Sequence, residues 1–165
     1  MGRIGKAVAK RAVAHGLKII YHNKMPHKEG IIDFPARYVS FEELLKESDF
    51  ISVHVPLAKD TQHRFTLEEF KKMKKEAYFI NTARGPLVKE ADLAHALKEG
   101  WIAGAGLDVY EFEPEVDPNL IALDNAVLLP HIGSAAKEVR ERMAMIVAEN
   151  LIAFFNGGLS PNRVN

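Results

Sequence analysis

The sequence contains no cysteine among its 165 residues, which excludes disulfides, thiolate metal sites and cysteine nucleophiles. It has no excess of either charge, because 22 Lys and Arg residues balance 22 Asp and Glu residues. This balance argues against a nucleic-acid-binding protein that uses a broad basic surface. No apolar run approaches the roughly 18 residues that a membrane helix needs. These absences favour a cytoplasmic globular protein that binds neither nucleic acid nor a membrane.

The sequence does contain enough apolar residues for a core, since 47% of it is hydrophobic and 27% is charged. Short apolar runs alternate with helical patterns, which is typical of an α/β protein with a parallel sheet. Ser40 with Glu43 and Thr66 with Glu69 form capping boxes at two helix starts, and Gly16 ends the first helix. Helices are predicted over 4–15, after Ser40, after Thr66 to about 75, over 90–99 and over about 134–156, and strands over 17–21, 37–39, 50–55, 77–81, 103–109 and 126–129.

Two glycines stand at the mouth of the first predicted helix, in the sequence Gly2-Arg3-Ile4-Gly5. They match the second and third glycines of the dinucleotide-binding fingerprint G-x-G-x-x-G. The second glycine would let the backbone approach a pyrophosphate, and the third would let the helix pack closely on a sheet. The helix N-terminus would supply free N–H donors to the phosphates. A glycine pair at the start of an ordinary helix is the alternative interpretation.

The residue after the strand 17–21 bears on cofactor choice. An NAD-specific site places Asp or Glu roughly 20 residues after the glycines, where the carboxylate binds ribose hydroxyls. The corresponding residue here is the neutral Asn23, and Lys24, His27 and Lys28 follow it. A neutral amide with cations nearby would accept a 2′-phosphate that a carboxylate would repel. The pattern favours tolerance or preference for NADP(H), with a solvated loop of ordinary charges as the alternative.

Three chemically informative residues follow the ends of predicted strands. Arg84 follows the strand 77–81, Glu113 follows the strand 103–109, and His131 follows the strand 126–129. In an open parallel sheet these loops share the edge at which ligands bind. Taken singly, Arg84 could be a surface cation, Glu113 one acid of an acidic turn and His131 a helix-entry residue. Their arrival at one edge indicates a combined site.

Five motifs occur in order along the chain: G-R-I-G at 2–5, H-V-P-L at 54–57, N-T-A-R-G at 81–85, G-A-G-L-D-V-Y-E-x-E-P at 104–114 and P-H-I-G-S at 130–134. Together they resemble the D-2-hydroxyacid dehydrogenase family, and within it the glyoxylate/hydroxypyruvate reductases and glycerate dehydrogenases. The resemblance implies a Rossmann-like, doubly wound parallel sheet that binds NAD or NADP. It also implies hydride transfer between the nicotinamide and C2 of a small 2-keto or 2-hydroxy acid.

The resemblance assigns catalytic roles to three residues. Arg84 would hold the substrate carboxylate and carbonyl oxygen, and His131 would protonate that oxygen during reduction. Glu113 would stabilise the protonated imidazole. The motif alignment selects Glu113 over Glu111, because local chemistry alone does not separate the two acids. Formate dehydrogenases of the same superfamily have a glutamine here, so Glu113 argues against that branch.

The resemblance also assigns the cofactor contacts, and it implies no metal site. One departure from the family pattern is the stretch 62–65, Gln-His-Arg-Phe, which replaces a usually apolar sequence. The implied contacts are with the pyrophosphate by Gly2, Arg3, Ile4 and Gly5, with the adenosine by Asn23, Lys24, Val55, Pro56 and Thr61, and with the nicotinamide region by Thr82, Ala83, Asp108, His131 and Gly133.

Family members have two domains, and the motifs here belong to only one of them. We therefore expect residues 1–165 to be the NAD(P)-binding domain, a fragment of a longer chain, with the substrate domain largely absent. The first Rossmann strand, central in the order 3-2-1-4-5-6, would also be absent. The strands 17–21 and 50–55 would then flank a gap with unpaired backbone groups.

Two other functions are compatible with the sequence. Transcriptional corepressors reuse this domain and can retain the Arg, Glu and His, so a nucleotide-sensing regulatory protein is one alternative. The other is a folding and dimerisation module without activity as an isolated fragment, since the family often pairs through this domain. For any of these functions the resemblance implies a homodimer.

Overall fold

The computed structural model describes residues 1–26, 28 and 31–163. His27, which the sequence places among the cations after Asn23, lies outside these residues. The chain divides into two compact units, Met1–Pro130 and His131–Asn165.

Helices and strands alternate through the first unit, as predicted, and a long helix forms most of the second. The described elements are α1 (Arg3–Ala14), β1 (Ile19–Tyr21), β2 (Ala36–Tyr38), α2 (Phe41–Glu47), β3 (Phe50–Val53), α3 (Leu67–Phe70), β4 (Tyr78–Asn81), a 3₁₀ turn (Gly85–Leu87), α4 (Glu90–Lys98), β5 (Gly104–Leu107), α5 (Pro118–Ile121), β6 (Ala126–Leu128) and α6 (Lys137–Phe155).

The described strands of the first unit pair in parallel and form two sheets. One sheet has the order β3-β4-β5-β6, and the other pairs β1 with β2. The α/β class with a parallel sheet is therefore confirmed. β1 and β3 belong to different sheets.

Local sequence signals account for two helix starts and one helix end. The Ser40 hydroxyl accepts a hydrogen bond from the Glu43 N–H at 3.1 Å, and the Glu43 carboxylate accepts one from the Ser40 N–H at 2.8 Å. Thr66 and Glu69 form the second capping box. Gly16 follows α1 with φ of +80°, the left-handed conformation that glycine adopts without strain. These three predictions are confirmed.

The predicted length of α3 is wrong, because the helix ends at Phe70 and not near residue 75. The N–H groups of Lys72 and Met73 donate to carbonyls three residues back, at 3.1 and 3.2 Å, so the chain tightens into turns. These turns bury Phe70 and Met73 together.

The helix α5 was not predicted, although its Asp117 cap and Pro118 at the first helical position are recognisable start signals.

The core of the first unit lies between the four-stranded sheet and the helices that cover it. Phe79 of β4 is fully buried and packs edge-on against Phe65 and Phe70, with ring centroids 4.9 and 5.3 Å apart. α4 presents apolar residues at helical spacing to this core, with Leu93 and Leu97 both buried. This packing fixes the strands whose ends carry the candidate site.

The second unit consists of a loop followed by α6. The helix begins at Lys137, three residues later than its predicted start. Its predicted apolar face, which includes Val139, Met143 and Val147, is exposed. Among the described residues, no helix is both long enough and apolar enough to cross a membrane.

Candidate functional site at the carboxyl edge of the sheet

Three strand ends lie in register at one edge of the four-stranded sheet. Asn81 of β4 pairs with Val53 of β3 and with Leu107 of β5. The Asp108 N–H donates to the Asn81 carbonyl at 3.0 Å, and the Leu129 N–H donates to the Leu107 carbonyl at 2.9 Å. The loops after β4, β5 and β6 therefore start side by side, which is the arrangement expected from the sequence.

The turn that carries Arg84 is organised by a buried amide. The Asn81 side chain is 1% exposed; its Nδ2 donates to the Arg84 carbonyl, and its Oδ1 accepts from the Ala83 N–H, both at 3.0 Å. Thr82 and Ala83 form the body of this turn. Arg84 itself is exposed, and its Nη1 donates to the Ala83 carbonyl at 2.6 Å. The buried amide thus holds the turn while the guanidinium faces the surface.

Gly85 brings the Arg84 turn into direct backbone contact with the loop after β5. A Cβ atom at position 85 would lie 1.8 Å from the carbonyl oxygen of Tyr110, so only glycine fits. The Tyr110 hydroxyl donates to the Leu129 carbonyl at 2.8 Å, which ties the same loop to the end of β6. Burial, with the charge of Asp108 second, raises the pKa of the Tyr110 phenol. The phenol is therefore a hydrogen-bond donor at neutral pH.

The structure separates the two acids that the sequence could not distinguish. The Glu111 side chain is 10% exposed; its Oε1 lies 2.6 Å from the His63 Nε2, and its Oε2 accepts from the Glu90 N–H at 2.9 Å. Glu90 is itself buried and accepts from the Glu111 and Asp117 N–H groups at 2.8 and 2.7 Å. Glu111 therefore holds the loop after β5 against His63 and the start of α4.

Glu113 has a different environment from Glu111. It is exposed, and its Oε1 accepts from the Tyr110 N–H at 3.0 Å. That bond positions the side chain on the same loop that Gly85 contacts. The assignment of Glu113 as the acid of the candidate site stays a prediction of the motif alignment.

This difference predicts unequal stability effects for two matched substitutions. Glu111→Gln removes one acceptor oxygen from a buried pair of contacts, so it should lower the free energy of unfolding by about 2 kcal/mol. Glu113→Gln keeps an acceptor for the Tyr110 N–H and should change it by no more than about 0.5 kcal/mol. Urea unfolding of both variants measures the difference. Equal stabilities would contradict the structural role assigned to Glu111.

The start of α1 has the properties of an anion site. Gly2 is its N-cap, no side chain caps its N–H groups, and its first turn holds no acidic residue. Among the α-helices in the described part of the chain, α1 alone combines these features. Arg3 and Ile4 are exposed beside it. Free N–H donors and the positive end of the helix dipole together favour a phosphate here.

Gly5 lies one turn into α1 and is buried against His54, the residue that follows β3. A Cβ atom at position 5 would lie 3.5 Å from the His54 Cβ, which is an ordinary contact. Burial lowers the pKa of His54. An open cavity of about 620 Å³ borders this contact and continues along the helix, lined by Gly2, Arg3, Ile4, Ala7, Val8, Arg11 and His54.

The predicted adenosine residues lie on the loops after β1 and β3. Asn23 is half-buried, its side chain accepts from the Met1 amine, and its carbonyl accepts from the Tyr38 hydroxyl at 3.2 Å. The Lys24 Nζ lies 3.0 Å from the Asp60 Oδ2, so the two loops are joined by an ion pair. Sequence reasoning did not identify Asp60.

Val55, Pro56 and Thr61 belong to the second of these loops. Val55 is partly buried against the core, and Pro56 is exposed. The Thr61 hydroxyl donates to the Pro56 carbonyl and accepts from the Ala58 N–H, both at 2.8 Å. Thr61 therefore orders the segment 56–61 through its side chain.

The remaining predicted residues, His131 and Gly133, belong to the second unit. Both are exposed and lie in the loop before α6. His131 has φ of +53°, a left-handed conformation that is uncommon for a residue with a side chain. Within the first unit, then, the structure brings the turn of Thr82, Ala83 and Arg84 together with the loop of Asp108 and Glu113. His131 and Gly133 keep the assignment that the sequence motif gives them.

The fold and this edge have counterparts among known proteins. Residues 1–133 match the family of the D-isomer specific 2-hydroxyacid dehydrogenase NAD-binding domain. The chain belongs to this family. The predicted family and the predicted Rossmann-like fold class are therefore confirmed.

The chain is similar to named reductases. It is 57% identical over 164 residues to a glyoxylate reductase of Thermococcus litoralis, covering 99% of this chain and 50% of that protein. A solved protein of Thermus thermophilus has a TM-score of 0.93 and 47% identity, over 100% of this chain and 51% of that one.

Another solved relative contains a cofactor. The NADPH-dependent glyoxylate/hydroxypyruvate reductase of Sinorhizobium meliloti, in complex with NADP and malonate, has a TM-score of 0.87 and 38% identity, over 93% of this chain and 47% of that one. The chain thus spans about half the length of these relatives.

Proposed function

We propose that the protein is an oxidoreductase that transfers a hydride between NAD(P)(H) and a small 2-keto or 2-hydroxy acid such as glyoxylate, hydroxypyruvate or glycerate. We further propose that residues 1–165 supply its NAD(P)-binding domain. The observation that carries the proposal is the direct packing of the Arg84 turn on the Glu113 loop at the carboxyl edge. This packing supports the proposal because it joins the turn that carries Arg84 to the loop that carries Glu113, at the edge where open α/β sheets bind ligands.

The residues present fit a nicotinamide dinucleotide. The uncapped, acid-free start of α1, with Gly2, Arg3, Ile4 and Gly5, fits a pyrophosphate. When bound, the cofactor supplies or accepts the hydride. The other proposed contacts are Asn23, Lys24, Val55, Pro56 and Thr61 for the adenosine and Thr82, Ala83, Asp108, His131 and Gly133 for the nicotinamide region.

The proposed chemistry at the substrate uses three side chains. The Arg84 guanidinium is exposed, and a guanidinium can donate bidentate hydrogen bonds. It would therefore bind the substrate carboxylate and polarise the carbonyl oxygen. His131 would donate a proton to that oxygen during reduction and accept it back during oxidation. The Glu113 carboxylate would stabilise the imidazolium form of His131.

The proposed cofactor preference follows from the residues after β1. Asn23 places no carboxylate after β1, and Lys24 adds a cation, so a 2′-phosphate is tolerated. We propose that the protein binds NADPH at least as well as NADH. Dissociation constants measured side by side by cofactor fluorescence test this, and a strong NADH preference would contradict it.

An activity assay tests the proposed function. The whole protein, in which residues 1–165 are joined to the substrate domain, should oxidise NADH or NADPH when glyoxylate or hydroxypyruvate is present, whereas residues 1–165 alone should have little turnover. Neither should oxidise the cofactor with acetate, which has no 2-keto group to reduce. Absorbance at the reduced-nicotinamide band follows the reaction. Cofactor binding by the whole protein without turnover on either keto acid would overturn the proposed reaction while leaving the binding domain in place.

A further inference from the structure

The ion pair between Lys24 and Asp60 joins the two loops that border the proposed adenosine site. The Lys24 Nζ and the Asp60 Oδ2 are 3.0 Å apart. Their side chains are 88% and 60% exposed, so both face solvent where a cofactor would approach. The hydrogen bond from Lys24 holds the pKa of Asp60 below its usual range, so the carboxylate is charged at neutral pH.

The backbone that carries Asp60 is held in place by hydrogen bonds within its own loop. The Thr61 and Gln62 N–H groups donate to the Ala58 carbonyl at 3.0 and 2.9 Å. The Thr61 hydroxyl adds bonds to the backbone of Pro56 and Ala58. The carboxylate therefore stands on a fixed turn, opposite the loop that carries Asn23 and Lys24.

We propose that Asp60 is a specificity-determining residue that limits the affinity for NADP(H) by pairing with Lys24. This inference rests on the proposed function, which places the adenosine ribose beside Asn23 and Lys24. A 2′-phosphate needs the Lys24 ammonium as a counter-charge, whereas the ribose hydroxyl of NAD(H) does not. Asp60 neutralises that ammonium. Its carboxylate also supplies a negative charge near the ribose, where the neutral Asn23 supplies none.

Because the Lys24–Asp60 pair is exposed, it weakens NADP(H) binding without preventing it. Exposed ion pairs are weak and salt-screened, so a phosphate can displace the carboxylate from Lys24. The protein then binds both cofactors, and the ratio of their affinities depends on Asp60. Asp60 acts through Lys24 as a positioning residue.

Direct cofactor binding by the Asp60→Asn variant tests the proposal. Titration of nicotinamide fluorescence with the wild-type protein and the variant gives the dissociation constants for NADPH and NADH. Asp60→Asn should strengthen NADPH binding about fivefold, the size of one exposed charge interaction, and change NADH binding by less than about twofold. In a Lys24→Gln background the same substitution should give no gain.

Asp33→Asn is the matched control. Asp33 pairs with Lys10 at 2.7 Å, and both side chains are about as exposed as that of Asp60. The Asp33→Asn substitution removes the same charge from another exposed Lys–Asp pair. It should leave the dissociation constants for NADPH and NADH unchanged.

Three results would overturn the proposal. An unchanged NADPH-to-NADH ratio in Asp60→Asn would show that the pair does not control specificity. A gain of equal size without Lys24 would show that Asp60 acts on the cofactor directly. Failure of the wild-type protein to bind either cofactor would overturn the proposed function together with this inference, whereas the first two results leave the proposed function intact.

Discussion

Replacing His131 with asparagine is expected to lower kcat for glyoxylate reduction by about 10²- to 10⁴-fold, the usual contribution of a positioned acid/base group. Asparagine suits this test because His131 has φ of +53°, and asparagine tolerates the left-handed region better than alanine does. The loss therefore reports on the imidazole and not on a strained backbone. Steady-state kinetics at saturating cofactor measure it.

His15→Asn is the control for this substitution. His15 is exposed at the end of α1, outside every group assigned to the site, so kcat should stay at the wild-type value. The His131→Asn variant should still bind cofactor, because the other proposed cofactor contacts are unchanged. A kcat within about tenfold of the wild-type value would remove His131 from the proposed chemistry.

The sequence predicted those parts of the fold that depend on neighbouring residues. The capping box of Ser40 and Glu43 needs only residues three positions apart, so its helix start was predictable. The end of α3 was not, because it depends on how Phe70 and Met73 are buried against the sheet. Helix starts with side-chain caps are thus more predictable than ends that tertiary packing decides.

The same distinction applies to the candidate site. The motif around Arg84 identified the turn, and the Asn81 amide that holds it is only three residues away. The separate roles of Glu111 and Glu113 were not predictable from local chemistry, because His63 lies 48 residues from Glu111. Contacts between residues distant in the sequence leave no local pattern, so the structure was needed to assign them.

Gly85→Ala is expected to destabilise the protein by about 3 kcal/mol or more, because the added methyl group cannot fit. Its Cβ would lie 1.8 Å from the Tyr110 carbonyl oxygen and 2.6 Å from the Glu111 nitrogen, both backbone atoms that no rotamer change can move. The Arg84 turn must shift away from the Glu113 loop, so activity should fall as well. Urea unfolding and kinetics at low denaturant measure the two effects.

Gly106→Ala provides the matched control within the same sheet. The nearest atom to a Cβ at position 106 is the Ile80 Cγ1 at 4.0 Å, so the methyl group meets no steric conflict. Alanine also lowers the conformational entropy of the unfolded chain, and the free energy of unfolding should stay within about 1 kcal/mol of the wild-type value or rise. If Gly85→Ala unfolds at the same urea concentration as Gly106→Ala, the two loops are not in the contact on which the proposed site depends.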